Sequence, residues 1–390
     1  MSYYLLPKNL HNIKSNDINL FYNDIIDQNI PMINHSLFSY LNNSKQEIDN
    51  HRDVWDTIKK LTNPYEYIHT LVPNFKISIS QLKPLSRSFY KLIEIIDTFD
   101  LLKSPTKITS FHMAEGPGGF IEATVLRRNN QHDMYYGMTL VDNSDDSIPG
   151  WRKSRTFLDE NSNVTIETGD DKDGNLFSVN NFRGLIAKFE SSFEFITADG
   201  GFDFSGDYNS QEIMASKLIL VEILHALVLQ KLGGTFILKV YDIYHKYSLD
   251  CLYILAFFYR DVYIYKPNTS RYANSEKYLI CKDMIYTPDN SLKDKFISII
   301  STLDDRPLKK ILGYDIPLLF TQNIDNLNSI FGEQQLHNII STLSFVEHFR
   351  GKKEKIEQLK KNNLSKCVQW CELHNIPYNK KINYRNIFLE

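Results

Sequence analysis

An α/β protein with a mostly parallel sheet, one antiparallel strand and helical N- and C-terminal extensions is the fold class this chain predicts. Three observations carry it. Between about 76 and 285, short apolar runs alternate with amphipathic stretches, the pattern of βα repeats on a parallel sheet. The last of these runs follows its predecessor after only Pro267–Glu276. That gap is too short for a crossover helix, so the final pair is antiparallel. On either side, at 1–75 and 286–390, the pattern turns to helices.

The 1–75 segment is rich in Asn, Ile, Lys and Tyr and has no obvious motif. The central segment predicts strands at Thr109–Ala114, Met134–Leu140, Val164–Glu167, Glu194–Ala198, Gly234–Val240, Val262–Tyr265 and Lys277–Cys281. It predicts helices at Ser86–Leu101, Gly119–Arg128, Gln211–Lys231 and Tyr247–Tyr259. The third helix carries Ile213, Leu218, Val221, Leu224, Leu227 and Val228, a stripe near 3.6 spacing. Pro307, Pro317 and Pro377 punctuate the last segment.

At 390 residues and 42% hydrophobic content, the chain suffices for one large domain with appendages, or for two. No apolar run is long enough for a membrane span. The start MSYYLLPKNLHN lacks a secretory pattern. Four scattered cysteines, at 251, 281, 367 and 371, fit a reducing compartment. The expected location is intracellular: cytoplasmic (a viral factory or virion if the source is viral) or nuclear.

Net charge is −3, so distribution matters more than the sum. From Lys76 to Ile93 there is no acid against four positive charges, while 142–173 holds nine acids against four bases. One flank of the glycine-rich turn at 114–120 is therefore basic and the other acidic.

That turn reads Ala-Glu-Gly-Pro-Gly-Gly-Phe. A strand ends at Ala114. Gly116, Gly118 and Gly119 let the backbone turn sharply, and a helix starts near Phe120. Glu115 and Pro117 complete the candidate cofactor turn. Backbone N–H groups there approach a ligand with no side chain in the way. No Lys-Ser/Thr follows, which argues against a triphosphate-cradling loop. Asp142 and Asp170 fall past the next two strands, placed to accept from ribose hydroxyls and an adenine amino group.

Four ionisable residues follow in order. Asp199 sits past the strand FEFITA, at the sheet's carboxyl edge beside the turn, where it also serves as a cofactor contact. Lys239 ends the run GGTFILK, where a central strand normally excludes charge. Lys91 lies mid-helix, and Glu276 precedes KYLIC. A ribose 2′-hydroxyl is a poor nucleophile at neutral pH. A lysine steers or takes its proton if burial and neighbouring cations lower its pKa. Lys239 is the candidate for that role and Lys91 its neighbouring cation, with Asp199 and Glu276 as orienting acids. No metal is required. A nicotinamide oxidoreductase shares the glycine turn but has no use for the quartet.

The segments SRSFYK, AEGPGGF, TADGGF, NSQE, GGTFILK and KPNTSRYANSEKYLICK, spanning about 86–283, resemble the FtsJ-like ribose 2′-O-methyltransferases. The likeness is nearest to the eukaryotic and large-DNA-virus branch acting on mRNA caps. The resemblance implies a Rossmann-like methyltransferase fold of seven strands and S-adenosyl-L-methionine as cofactor. It implies a Lys–Asp–Lys–Glu active site at Lys91, Asp199, Lys239 and Glu276. Capped RNA is the implied substrate, methylated on the first transcribed nucleotide, with a capping-enzyme or transcription-machinery partner and no membrane. One departure is His112, where many relatives carry an acid; Glu115 is the expected substitute. Two alternatives stand beside this reading: a methyltransferase of rRNA or tRNA, and a catalytically silent RNA-binding or scaffold subunit.

Candidate RNA contacts are Lys83, Arg87, Arg152, Lys153 and Arg271 on phosphates. Phe202, Tyr208, Trp151 and Phe204 are candidate stacking rings. Cys367, Cys371 and His374 lack a fourth ligand for zinc and read as packing. Lys352–Lys361 reads as a solvated helix face.

Overall fold

A computed structural model describes residues 3–23, 30–73, 75–141, 150–202, 207–347 and 353–380. In chain order the elements are β1 (Tyr4–Leu5), β2 (Ile18–Tyr22), α1 (His35–Asp49), α2 (Arg52–Thr62), α3 (Ser88–Thr98), β3 (Thr109–Met113), α4 (Gly119–Arg128), β4 (Met134–Met138), α5 (Arg155–Glu160) and β5 (Val164–Ile166). Then come α6 (Val179–Phe189), β6 (Phe193–Ala198), α7 (Gln211–Leu229), β7 (Gln230–Val240), α8 (Lys246–Phe258), β8 (Tyr259–Tyr265) and β9 (Lys277–Met284). The chain continues through α9 (Asn290–Thr302), β10 (Leu308–Leu312), α10 (Leu318–Glu347) and α11 (Lys353–Leu373).

The main sheet has eight strands in the order β1-β8-β9-β7-β6-β3-β4-β5. Strands β5, β4, β3, β6 and β7 are parallel neighbours. β9 runs antiparallel to both β7 and β8, as the short Pro267–Glu276 gap requires. All seven strands read from sequence are present.

The extensions are less purely helical than expected. β1 adds to the outer edge of β8, and β2 pairs antiparallel with β10. Neither β2 (INLFY) nor β10 (LKKIL) shows a clean alternation; partners nearly 290 residues apart create both strands. Helix α6 also escaped the sequence reading, because VNNFRGLIAKF is polar at its start and holds a glycine. That glycine has a local cause: a Cβ on Gly184 would overlap the Asp170 carboxylate.

Strand alternation sorts side chains between two cores. On β7, Phe236, Leu238 and Val240 join the core with α7 and α8. Ile237 joins the opposite core with α3, α4 and α11, and Lys239 shares that parity. On β9, Tyr278 and Ile280 also belong to the α3 side. The alternation therefore sends one lysine of a buried strand toward the helix that carries Lys91.

Gly174, between β5 and α6, has φ +65°, and a Cβ there would overlap the Thr139 carbonyl oxygen. Backbone cannot yield as a flexible side chain does. Gly174→Ala is expected to destabilise the fold by about 1–3 kcal/mol. The check is a lowered urea midpoint at unchanged slope; an unchanged midpoint contradicts the close approach.

Candidate active site

The quartet converges at the carboxyl edge of β6 and β7. Lys239 lies opposite Tyr278 across the β7–β9 ladder. Lys239 Nζ donates to the Asp199 carbonyl oxygen at 2.7 Å and lies 3.3 Å from Asp199 Oδ1. Tyr278 OH donates to that same Oδ1 at 2.7 Å. Lys91 Nζ donates to Glu276 Oε2 at 2.7 Å. Glu276 Oε1 accepts from Ser270 Oγ at 2.7 Å. Lys91, Lys239 and Glu276 are all buried.

The electrostatics divide the two lysines in the opposite sense to the sequence expectation. Burial lowers the pKa of Lys91; Glu276 and Asp199 oppose this, yet the net shift is downward. Burial also acts to lower Lys239, but Asp199, then Tyr241, Glu276 and Glu222 outweigh it, and the net shift is upward. Lys239 is thus held as an ammonium, a correction to the expectation of a lowered value. The reason is the balance around each one: Lys91 also has an anion at hand, but burial with the cations Arg87 and Lys239 outweighs it, whereas the groups around Lys239 outweigh its burial.

The glycine turn is organised differently from the reading above. Glu115 is buried, and its Oε1 accepts from the N–H groups of Phe120 and Ile121 at 2.7 and 2.8 Å. Its carboxyl caps α4, so the Phe120 amide is committed inside the protein rather than offered to a ligand. Burial raises the Glu115 pKa well above the ordinary range. His112 is wholly buried between Ser110 Oγ and Thr197 Oγ1, each at 2.8 Å. Phe120 is fully buried, with its ring 5.9 Å from Tyr278.

Gly118, at φ +112°, takes a conformation that favours glycine. A Cβ on Gly119 would overlap the hydroxyls of Ser86 and Ser88. Gly119 therefore packs the turn against the lead-in to α3. Gly116 and Pro117 are half-buried, and the Pro117 carbonyl accepts from Ser154 Oγ. Asp170 is exposed. Asp142 lies outside the described residues, as does Phe204.

Among the expected RNA contacts, Lys83, Arg152 and Lys153 are exposed and Arg87 is half-buried. Phe202 and Tyr208 are 47% and 40% exposed, open enough for stacking. Arg271 departs from the expectation. Its Nε and Nη2 donate to Glu66 Oε2 and Oε1 at 2.9 and 2.6 Å, so its fork is already spent on a buried carboxylate. Trp151 also departs: its indole fills the space left by the missing side chains of Gly137 and Gly118. Cys367 and Cys371 are buried. Among the described residues no group of three or more His, Cys, Asp or Glu is placed to hold a metal, and no helix is long and apolar enough to cross a membrane.

Several residues of the site escaped the sequence reading. Lys266 is buried and donates to Asn274 O, Asn274 Oδ1 and Glu276 O at 2.7, 2.9 and 2.8 Å. Burial, then Lys277, lower its pKa to about 7. Glu222 of α7 is buried, and a Cβ on Gly200 would overlap its Oε1; burial raises its pKa to about 8. An acid within the apolar run LILVEIL was the available signal.

A cavity of about 230 Å³ is lined by the cations Lys45, Lys59, Arg87 and Arg271 and the rings of Trp55 and Tyr208. Its walls come from the N-terminal helices and the segment that leads to Glu276.

A family model described as FtsJ-like methyltransferase matches residues 84–284. The cap-specific mRNA (nucleoside-2′-O-)-methyltransferase 1 of Caenorhabditis elegans is 31% identical over 226 residues, 57% of this chain and 24% of that protein. Its namesake in Drosophila melanogaster is 28% identical over 299 residues, 72% of this chain and 36% of that one. The Homo sapiens protein of that name is 36% identical over 174 residues, 43% and 20%. The chain thus spans between a fifth and about a third of the length of these curated relatives.

Proposed function

The chain belongs to the FtsJ-like methyltransferase family, and from that premise we propose that it methylates the ribose 2′-hydroxyl of the first transcribed nucleotide of capped mRNA. The observation that carries the reading is the pair of buried contacts, Lys91 with Glu276 and Lys239 with Asp199, together with a cavity lined by Arg87 and the rings of Trp55 and Tyr208. A cap triphosphate calls for a cation such as Arg87 and a cap guanine for a flat ring. The names of the relatives favour the same substrate.

The methyl donor is S-adenosyl-L-methionine, and the residues present fit it. Leu140 and Val141 are 40% and 37% exposed at the carboxyl end of β4, between the Gly116–Pro117 turn and exposed Asp170. This joins bare apolar surface to a hydrogen-bond acceptor, as an adenosine moiety needs. Asp170 and Asp199 would accept from its hydroxyl and amino groups. Bound there, the donor supplies an electrophilic methyl group on sulfur.

The chain's own part is positioning. Lys239, held as an ammonium by Asp199, donates to the 2′-oxygen and steers its lone pair toward the methyl carbon. Bond formation acidifies the oxygen, so the hydroxyl proton leaves as the C–O bond forms, and Asp199 is the carboxylate at hand to take it. The Lys91–Glu276 pair, buried near Lys239, holds that side of the site in place.

The test is methyl transfer from labelled donor to capped and uncapped oligonucleotides of one sequence. A capped preference of about 100-fold or more in kcat/KM is expected, corresponding to about 2.7 kcal/mol. Equal turnover of uncapped rRNA or tRNA fragments contradicts the cap reading.

A further inference from the structure

Glu94 lies one helical turn beyond Lys91 on α3 and is 1% exposed. Six donors converge on its carboxylate. Oε1 accepts from Tyr265 OH at 2.8 Å, Asn268 N at 2.7 Å and Asn268 Nδ2 at 2.9 Å. Oε2 accepts from Thr269 N at 3.1 Å, Thr269 Oγ1 at 3.0 Å and Trp370 Nε1 at 3.1 Å. A carboxylate offers about four lone-pair sites, so this one is saturated. Its donors come from the end of β8, the segment between β8 and β9, and helix α11. The segment's far end is Glu276, tied back through Ser270 Oγ and Lys266.

We propose that Glu94 is a positioning residue for the Lys91–Glu276 pair, and that Trp370 latches the C-terminal helix α11 to the active site through it. The inference rests on the activity proposed above. Lys91 and Glu94 share one rigid helix, while Glu276 arrives on a segment between two strands. Contacts bridging helix and segment add to the β9 ladder in setting how Glu276 meets Lys91, and Glu94 supplies five of the bridges from β8 and the segment. The sixth reaches α11, beyond the residues matched by the family model. The C-terminal helix thereby has a part in setting the catalytic geometry. A misplacement of about 1 Å can cost about 100-fold in rate.

The test uses the full chain with Glu94→Gln, Trp370→Phe and both together. Trp370→Phe keeps an aromatic ring in the core while removing the donor and part of the indole's volume; the double variant separates the two effects, and the single variant stays informative if Glu94→Gln fails to fold. Turnover of capped RNA, donor affinity by calorimetry and amide hydrogen exchange are measured on each. For Glu94→Gln, kcat is expected to fall about 10- to 100-fold. For Trp370→Phe, a loss of about 3- to 10-fold is expected, and it vanishes in the Glu94→Gln background. Donor affinity stays within about twofold, and exchange quickens at Asn268 and Thr269 but not across β3 and α4. Either unchanged kcat, or a kcat loss matched by lost donor affinity and general loosening, overturns the proposal. The exchange measurement needs no RNA. If the native chain methylates none, the proposed function fails, and unchanged exchange at Asn268 and Thr269 overturns the latch separately.

Discussion

Lys239→Ala is expected to lower kcat for methyl transfer by about 10²- to 10³-fold, the range for loss of a preorganised donor to the reacting oxygen. The variant removes the ammonium that Asp199 and β7 hold at the sheet edge. It also leaves Asp199 with Tyr278 as its remaining hydrogen-bond donor there. Donor binding, measured by calorimetry, is expected to change far less than turnover, because Gly116, Pro117 and Asp170 follow β3 and β5, two and four places from β7 in the sheet. Lys239→Arg tests geometry: it keeps the charge, yet its planar fork does not occupy the same point. Retention of more than a tenth of native turnover in Lys239→Ala would refute the steering role.

The second large effect is on stability. Glu276→Gln leaves Lys91 buried without its anion, and such breaks cost about 3–5 kcal/mol. Glu276 ionises despite burial because Lys91, then Lys239 and Arg87, outweigh desolvation and hold its carboxyl well below the usual range. The sign follows from proton binding. Below an unfolded value near 4.5, the unfolded chain takes up a proton that the folded chain refuses. The stability from this carboxylate is therefore complete above that pH and is lost as pH falls toward the folded value. Urea midpoints between pH 3 and 7 should fall more steeply on acidification in the native chain than in Glu276→Gln. Parallel curves, or a variant as stable as the native chain, contradict the pairing.

Much of the architecture was legible along the chain. Short apolar runs marked seven strands, because a buried parallel strand needs local apolar continuity. Glycines marked the turn, because only they tolerate the φ of Gly118 and the close approach at Gly119. The site was legible as an order of residues, and Lys239 stood out as a charge inside a strand. What escaped was made by contact at a distance. The β2–β10 pair joins opposite ends of the chain, and neither strand has a pattern of its own. Arg271 looked free until Glu66, 205 residues away, took its fork. Trp151 looked like a loop platform until Gly137 gave its ring a berth.

Residue order alone identifies the strands, the turn and the four ionisable groups, since periodicity and glycine tolerance are properties of a few consecutive backbone units. It does not assign the charge states. Which lysine is shifted up and which down depends on the anions and cations each one meets across the sheet, and Coulomb energies add through space rather than along the chain. The same holds for Glu94, an ordinary helical acid until folding gathers its six donors.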